Sequence, residues 1–285
     1  MSGATGRAGN DETRWGVPLR YAVELSRLEE IGDRFLPSHL DTEGEAFLAS
    51  QLKRSYRRSS LRLHRLLSLF MSDFDVNGLL GMYPVFLLST PTALALLEKT
   101  AGGSVAERSL LDIGSGSGDV TTRLLPLVSS VACTETSRFM AWRLRRRGFD
   151  CFRGAVGGGA LGDPLGAQEP YDIVSLLNVI DRTSRPRTLL RAIAAHLQPG
   201  GILLLSTPLP FEPVVYHGGT TRTPEESLGI ETDVWEDAVL ELWRDELSPL
   251  GFELGALTRT PYLSGGDALQ PAYVLDAAVL ACHKR

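Results

Sequence analysis

The feature that most constrains this chain is an alternation that begins at about Arg108. Strand-like apolar runs, short turns and helix-patterned segments follow one another: "SLLDIG", "TTRLLPLV", "SSVACTE", "RFMAWRLRRRG", "DCFRG", "YDIVSLL", "SRPRTLLRAIAAHL" and "ILLLSTP". Strands separated by helices cannot pair as hairpins, so the pattern predicts a parallel, doubly wound α/β sheet with right-handed crossovers. The uncharged run from Ile173 to Leu177 suits a strand buried on both faces. The last part breaks the rhythm. "FELGALTRTPYL" and "AYVLDAAVLACHK" are strand-like and joined by "SGGDALQP", with no helix between them. The sheet is therefore expected to end with a hairpin and an antiparallel strand.

Upstream of the alternation, residues 1–18 are small and polar and read as disordered. Residues 19–100 read as a helical region packed on the core, and 101–285 as the α/β domain. Leu48, Leu52, Leu61, Leu66, Leu69 and Phe70 fall near helical spacing. Lys53, Arg54, Arg57, Arg58, Arg62 and Arg65 lie between them, either as a solvated face or as a surface for an acidic partner.

Composition removes several classes. A formal net charge of -5 argues against nucleic acid as an obligate partner. Cys133, Cys151 and Cys282 lack CxxC spacing, and His39, His196, His217 and His283 lack metal-ligand spacing, so no disulfide framework and no metal are expected. His64 has no second catalytic group beside it, and His217 is a minor candidate for a substrate contact. No apolar run reaches the ~18 residues of a membrane span, and "MSGATGRAGNDETRWG" has no signal-peptide core. A soluble intracellular monomer is expected, with its compartment open.

"LLDIGSGSGDV" joins the first strand of the alternation to its helix. Glycines there let a ligand approach backbone amides and a helix N-terminus. The dinucleotide pattern G-x-G-x-x-G would place a third glycine where this chain has Asp119, so a nicotinamide cofactor is disfavoured. Downstream, "YDIVSLLNVIDR" ends its apolar strand at Asn178, with Asp181 soon after. Such residues serve as Asx turns or caps, yet strand ends are also where α/β proteins hold ligands.

The loop resembles the E/DxGxGxG motif of class I, seven-stranded, Rossmann-like S-adenosylmethionine-dependent methyltransferases, and "LQPGGILLL" resembles the turn into their fifth strand. More specifically, "LSLFMS" before Asp73, "NGLLG", "TETS", "LNVIDR", "RTPYLSGGD" and "YVLDAAV" resemble the DREV family of protein histidine pros-methyltransferases, from about Ser59 to Ala281. The resemblance implies S-adenosylmethionine as methyl donor, S-adenosylhomocysteine as product, and protein or peptide substrates carrying His-x-His. It implies cofactor contacts at Asp112, Gly114, Gly116, Gly118, Glu135, Asn178 and Tyr262. Asp181 matches an aspartate beside the target imidazole, with Asn178 at the reacting centre and Tyr273 near the substrate channel. The segment "GAVGGGALGDPLGAQEP" departs from the family pattern and leaves the adenine contacts unassigned. Ala272 stands where the family has a second aromatic. Two other readings remain: a small-molecule methyltransferase on the same fold, and a catalytically inactive cofactor-binding module.

Overall fold

The computed structural model describes residues 18–53, 66–67, 73–80, 82–158, 162–165, 169–217, 220–266 and 272–285. The basic stretch 54–65 and the tract 1–17 lie outside them. After a kinked 3-10 helix at Leu25–Arg34 come helices α1 (Thr42–Lys53) and α2 (Asp73–Leu80), strand β1 (Val85–Phe86) and helix α3 (Thr90–Ala101). The alternating part gives β2 (Ser109–Ile113), α4 (Thr121–Leu124), β3 (Ser130–Glu135), α5 (Arg138–Arg146), β4 (Asp150–Arg153), β5 (Ile173–Leu177), α6 (Pro186–His196) and β6 (Ile202–Pro208). The chain finishes with a small hairpin, β7 (Val215–His217) and β8 (Thr220–Arg222), then α7 (Trp235–Glu241) and the long strands β9 (Phe252–Gly265) and β10 (Ala272–Lys284).

The main sheet has eight strands in the order β1-β9-β10-β6-β5-β2-β3-β4. Strands β2 to β6 are mutually parallel, whereas β10 runs antiparallel to both β6 and β9. The doubly wound sheet and its terminal hairpin are those expected, and two details differ. The antiparallel strand β10 is not at the sheet's edge, because it inserts between β6 and β9. The region 19–100 is also not wholly helical: Val85–Phe86 pairs with β9 as an eighth strand. Phe86 then packs with Leu19, Phe47, Leu48, Leu263 and Ala272, which covers the outer end of the hairpin. That cluster also accounts for Ala272, which is buried there in place of an aromatic.

Strand periodicity builds the two faces. Leu111, Val174, Leu176, Leu203 and Leu205 meet Leu189, Leu190 and Ile193 of α6 and Ala238 and Val239 of α7. Leu110, Ile173, Leu204 and Val279 meet Ala93, Leu96 and Leu97 of α3. The helix expected over "TTRLLPLV" is one α turn followed by a 3-10 turn, since Pro126 has no N–H to continue the ladder.

This topology fixes where a ligand can sit. Strand β2 lies between β3 and β5, so the crossovers leave its two sides in opposite directions and open a crevice at its carboxyl end. Ile113 pairs with Leu176, which brings the glycine loop and the Asn178 turn side by side. The hairpin adds a wall. Pro208, the last residue of β6, pairs with Ala277, so residues 272–276 of β10 extend past the carboxyl ends of the parallel strands.

Candidate active site

The three loop glycines all have positive φ and do different work. A Cβ at Gly114 would fall 2.7 Å from Cγ2 of Val179, and one at Gly118 would fall 2.7 Å from Cδ2 of Leu144. Those two let the loop press against the β5 turn and against α5. A Cβ at Gly116 would meet nothing within 4 Å. Gly116 therefore borders open space at the crevice, where a ligand can come close to backbone.

Two buried carboxylates hold this loop. Asp112 Oδ1 accepts from Ser175 Oγ at 2.6 Å, and its Oδ2 accepts from Thr121 Oγ1 at 2.5 Å, linking β2 to β5 and α4. Glu135 Oε2 accepts from Gly116 N at 2.9 Å, and its Oε1 accepts from Ser137 N at 2.8 Å. Burial pushes both carboxyl pKa values up, and the donated hydrogen bonds pull them partly back. Ser137 also donates to Asp75, which ties α2 beside the carboxyl end of β3.

Across the crevice, Asn178 adopts φ 55°, a left-handed conformation that asparagine tolerates better than most residues. A tight turn follows, closed by Arg182 N to Val179 O at 2.9 Å. The structure shows the turn reading of "LNVIDR", and that turn is what brings the polar side chains to the strand end. Asp181 is only 2% exposed. Its Oδ2 pairs with Arg182 Nε at 3.0 Å, while its Oδ1 has no hydrogen-bond partner among the described residues. Burial pushes the Asp181 carboxyl up against the opposing pull of Arg182. Its backbone carbonyl accepts from Val214 N at 2.8 Å, fixing the turn to the segment that enters β7.

Tyr262 on β9 is partly buried, with the Asn178 side chain and the Asp181 carboxylate near its hydroxyl. Burial first, and the nearby Asp181 charge second, push this phenol up to about 12, so it stays protonated. Leu275 pairs with Tyr262 and Tyr273 with Ser264, so the two tyrosines share one face of the overhanging hairpin. Tyr273 is 38% exposed there. Of the sequence candidates, Asp112, the glycines, Glu135, Asn178, Asp181 and Tyr262 converge on the crevice, with Tyr273 at its margin. His283 pairs with Glu253 at the far end of β10. A separate cleft of about 580 Å³, bordered by Phe47, Asp119, Arg123 and Arg147, contains none of the converging residues.

Sequence reasoning missed Ser175, Thr121 and Ser206, which hold Asp112 and Asn178. A signal for the serines was present in "DIVSLL" and "ILLLSTP". A lone hydroxyl inside a buried apolar strand must find a partner, and the nearest strand ends supply it.

A parallel sheet with an inserted antiparallel strand, a glycine loop after its central strand and an acidic residue ending the next defines a class I methyltransferase. A family profile described as DREV methyltransferase matches residues 20–284, and the chain belongs to that family. Its methyl donor is S-adenosylmethionine, and the open approach at Gly116 and the flanking carboxylate of Glu135 fit such a group. Among solved structures, the YcgJ protein of Bacillus subtilis is 15% identical, covering 68% of this chain and 98% of its own, with a TM-score of 0.45. The N-methyltransferase NodS of Bradyrhizobium japonicum, in complex with S-adenosylhomocysteine, is 15% identical over 67% of this chain and 84% of its own, TM-score 0.38. Precorrin 8w decarboxylase of Methanobacterium thermoautotrophicum is 17% identical over 68% and 88%, TM-score 0.41. No helix among the described residues is long and apolar enough to cross a membrane.

Proposed function

We propose that this protein methylates the pros nitrogen of histidine in His-x-His sequences of proteins or peptides. The observation that carries the reading is Asp181: a buried carboxylate at the crevice with one oxygen held by Arg182 and the other unpartnered among the described residues. An acceptor of that kind, next to a cofactor loop, matches a substrate that brings its own N–H. Imidazole does so, and near pH 7 its pKa of about 6.5 leaves a lone pair on the other nitrogen.

Gly114, Gly116, Gly118, Asp112 and Glu135 would hold S-adenosylmethionine, with Asn178 and Tyr262 at its reacting end. Bound there, the cofactor supplies a methyl group on a positively charged sulfur, open to in-line displacement. The chain's own task is then positioning, which is worth about 7–11 kcal/mol when the geometry is right. Asp181 Oδ1 accepts the N–H of the tele nitrogen and thereby turns the pros lone pair toward the methyl. As the ring becomes an imidazolium, the same carboxylate stabilises its charge and receives the departing proton, as carboxylates do beside other working histidines. Tyr262, protonated throughout, closes the site from the hairpin side, and Tyr273 lies where an entering peptide would pass.

The test incubates the purified protein with methyl-labelled S-adenosylmethionine and a peptide containing Ala-His-Ala-His, then locates the label by fragmentation and amino-acid analysis. Pros-methylhistidine, absent when Asp181 is alanine, is the expected result. Label on the tele nitrogen, on another side chain or only on small metabolites would overturn the proposal.

A further inference from the structure

Ser206 is fully buried on β6, preceded by the apolar run from Ile202 to Leu205. Its hydroxyl accepts from Asn178 N at 3.0 Å and lies 2.9 Å from Asn178 Oδ1, to which it donates. Its carbonyl accepts from the same Asn178 N at 3.1 Å. The backbone of Asn178 is therefore fixed twice over, and the hydroxyl hydrogen is left for the side chain. A hydroxyl has one hydrogen. With that hydrogen on Oδ1, the Asn178 amide is set with its oxygen toward β6 and its NH2 turned away from Ser206.

We infer that Ser206 is a positioning residue that fixes the Asn178 amide with its oxygen occupied, so that its NH2 is presented to the ligand as a hydrogen-bond donor. The group received at this end of the crevice is then an acceptor: the carboxylate, not the ammonium, of the cofactor's amino-acid end. The inference rests on the reading that Asn178 faces the cofactor, but not on the identity of the methyl acceptor.

Calorimetric binding of S-adenosylhomocysteine and of methylthioadenosine, which lacks the amino-acid end, tests it on the full chain. Ser206→Ala keeps the backbone bond to Asn178 and should weaken S-adenosylhomocysteine about three- to tenfold, in line with one lost hydrogen bond, with methylthioadenosine within about twofold. In an Asn178→Ala background the same change should add nothing, because coupled residues are not additive. Asn178→Asp keeps an oxygen for Ser206 and removes the NH2, so it should be as damaging as Asn178→Ala. Wild-type or tighter S-adenosylhomocysteine binding in Asn178→Asp would mean the side chain accepts from the ammonium, and the inference would be wrong. Additive losses in the double variant, equal losses for both ligands, or a lowered melting temperature with unchanged binding would reduce Ser206 to a structural residue. A protein that binds in the expected pattern but leaves His-x-His peptides unmethylated would keep this inference and lose the histidine reading.

Discussion

The two sides of the crevice use buried carboxylates in opposite ways. On the glycine-loop side, Asp112 and Glu135 have hydrogen bonds on all four oxygens from within the chain. On the β5 side, Asp181 is just as buried but keeps one oxygen without a partner among the described residues. Burial alone raises the pKa of all three, so pKa does not tell them apart; hydrogen-bond satisfaction does. Leaving a buried acceptor unmade costs about 1–3 kcal/mol. A chain retains that cost most readily where a ligand later removes it, so the proposed function reads the loop side as a scaffold and the β5 side as a receptor.

The sharpest way to break this contrast is to delete one carboxylate from each side. Asp181→Ala should lower methyl transfer about a hundredfold or more, the lower range for a positioned acid–base group, with S-adenosylhomocysteine binding within about threefold of wild type. Asp112→Ala should instead lose binding and stability together, because Ser175 and Thr121 are left with buried, unpaired hydroxyls. Turnover measured beside calorimetric binding and thermal melting separates the two. If Asp181→Ala lost cofactor binding as completely as Asp112→Ala, the division between scaffold and receptor would fail.

A smaller effect divides the loop itself. Gly116→Ala places a methyl into open space, so beyond the strain of a positive φ, about 1–2 kcal/mol, its main cost should be in cofactor affinity, about tenfold. Gly118→Ala carries the same strain and also drives a methyl into Leu144. Its cost should appear in the melting temperature first. Equal losses of affinity at equal stability in the two variants would show that Gly116 does not face the ligand.

Much of this arrangement was legible in the sequence. The alternation from Arg108 onward predicts the parallel strands because buried strands and amphipathic helices carry different periods, and the glycine triplet marks the loop that must turn tightly. What was not legible depends on contacts distant in sequence. Val85–Phe86 is too short to show strand periodicity, and it exists because β9 offers an edge to pair with. The place of β10 between β6 and β9 is set by pairing that local pattern does not encode. At the site, Asn178 and Asp181 stand out because they interrupt an apolar run. That Arg182 takes only one oxygen of Asp181, and that Ser206 sets the Asn178 amide, are facts of side-chain geometry.

The smallest expected effect concerns stability and pH. The Asp181 carboxyl is raised in the folded protein above its unfolded value of about 3.9. Between those two values the folded chain binds more protons than the unfolded one, so stability falls as pH rises through that window. Above it the wild type carries the full cost of a buried charge that Arg182 offsets only in part. Asp181→Asn is neutral at every pH and removes that cost along with the ion pair. Its stability relative to wild type should therefore climb as pH rises from about 4, by at most about 1.4 kcal/mol for each pH unit crossed, and level off above the raised value. Melting temperatures of the two proteins measured across that range read the difference. Parallel melting profiles would mean that Asp181 ionises normally when folded, and its unpartnered oxygen would then be reached by water rather than reserved for a substrate N–H.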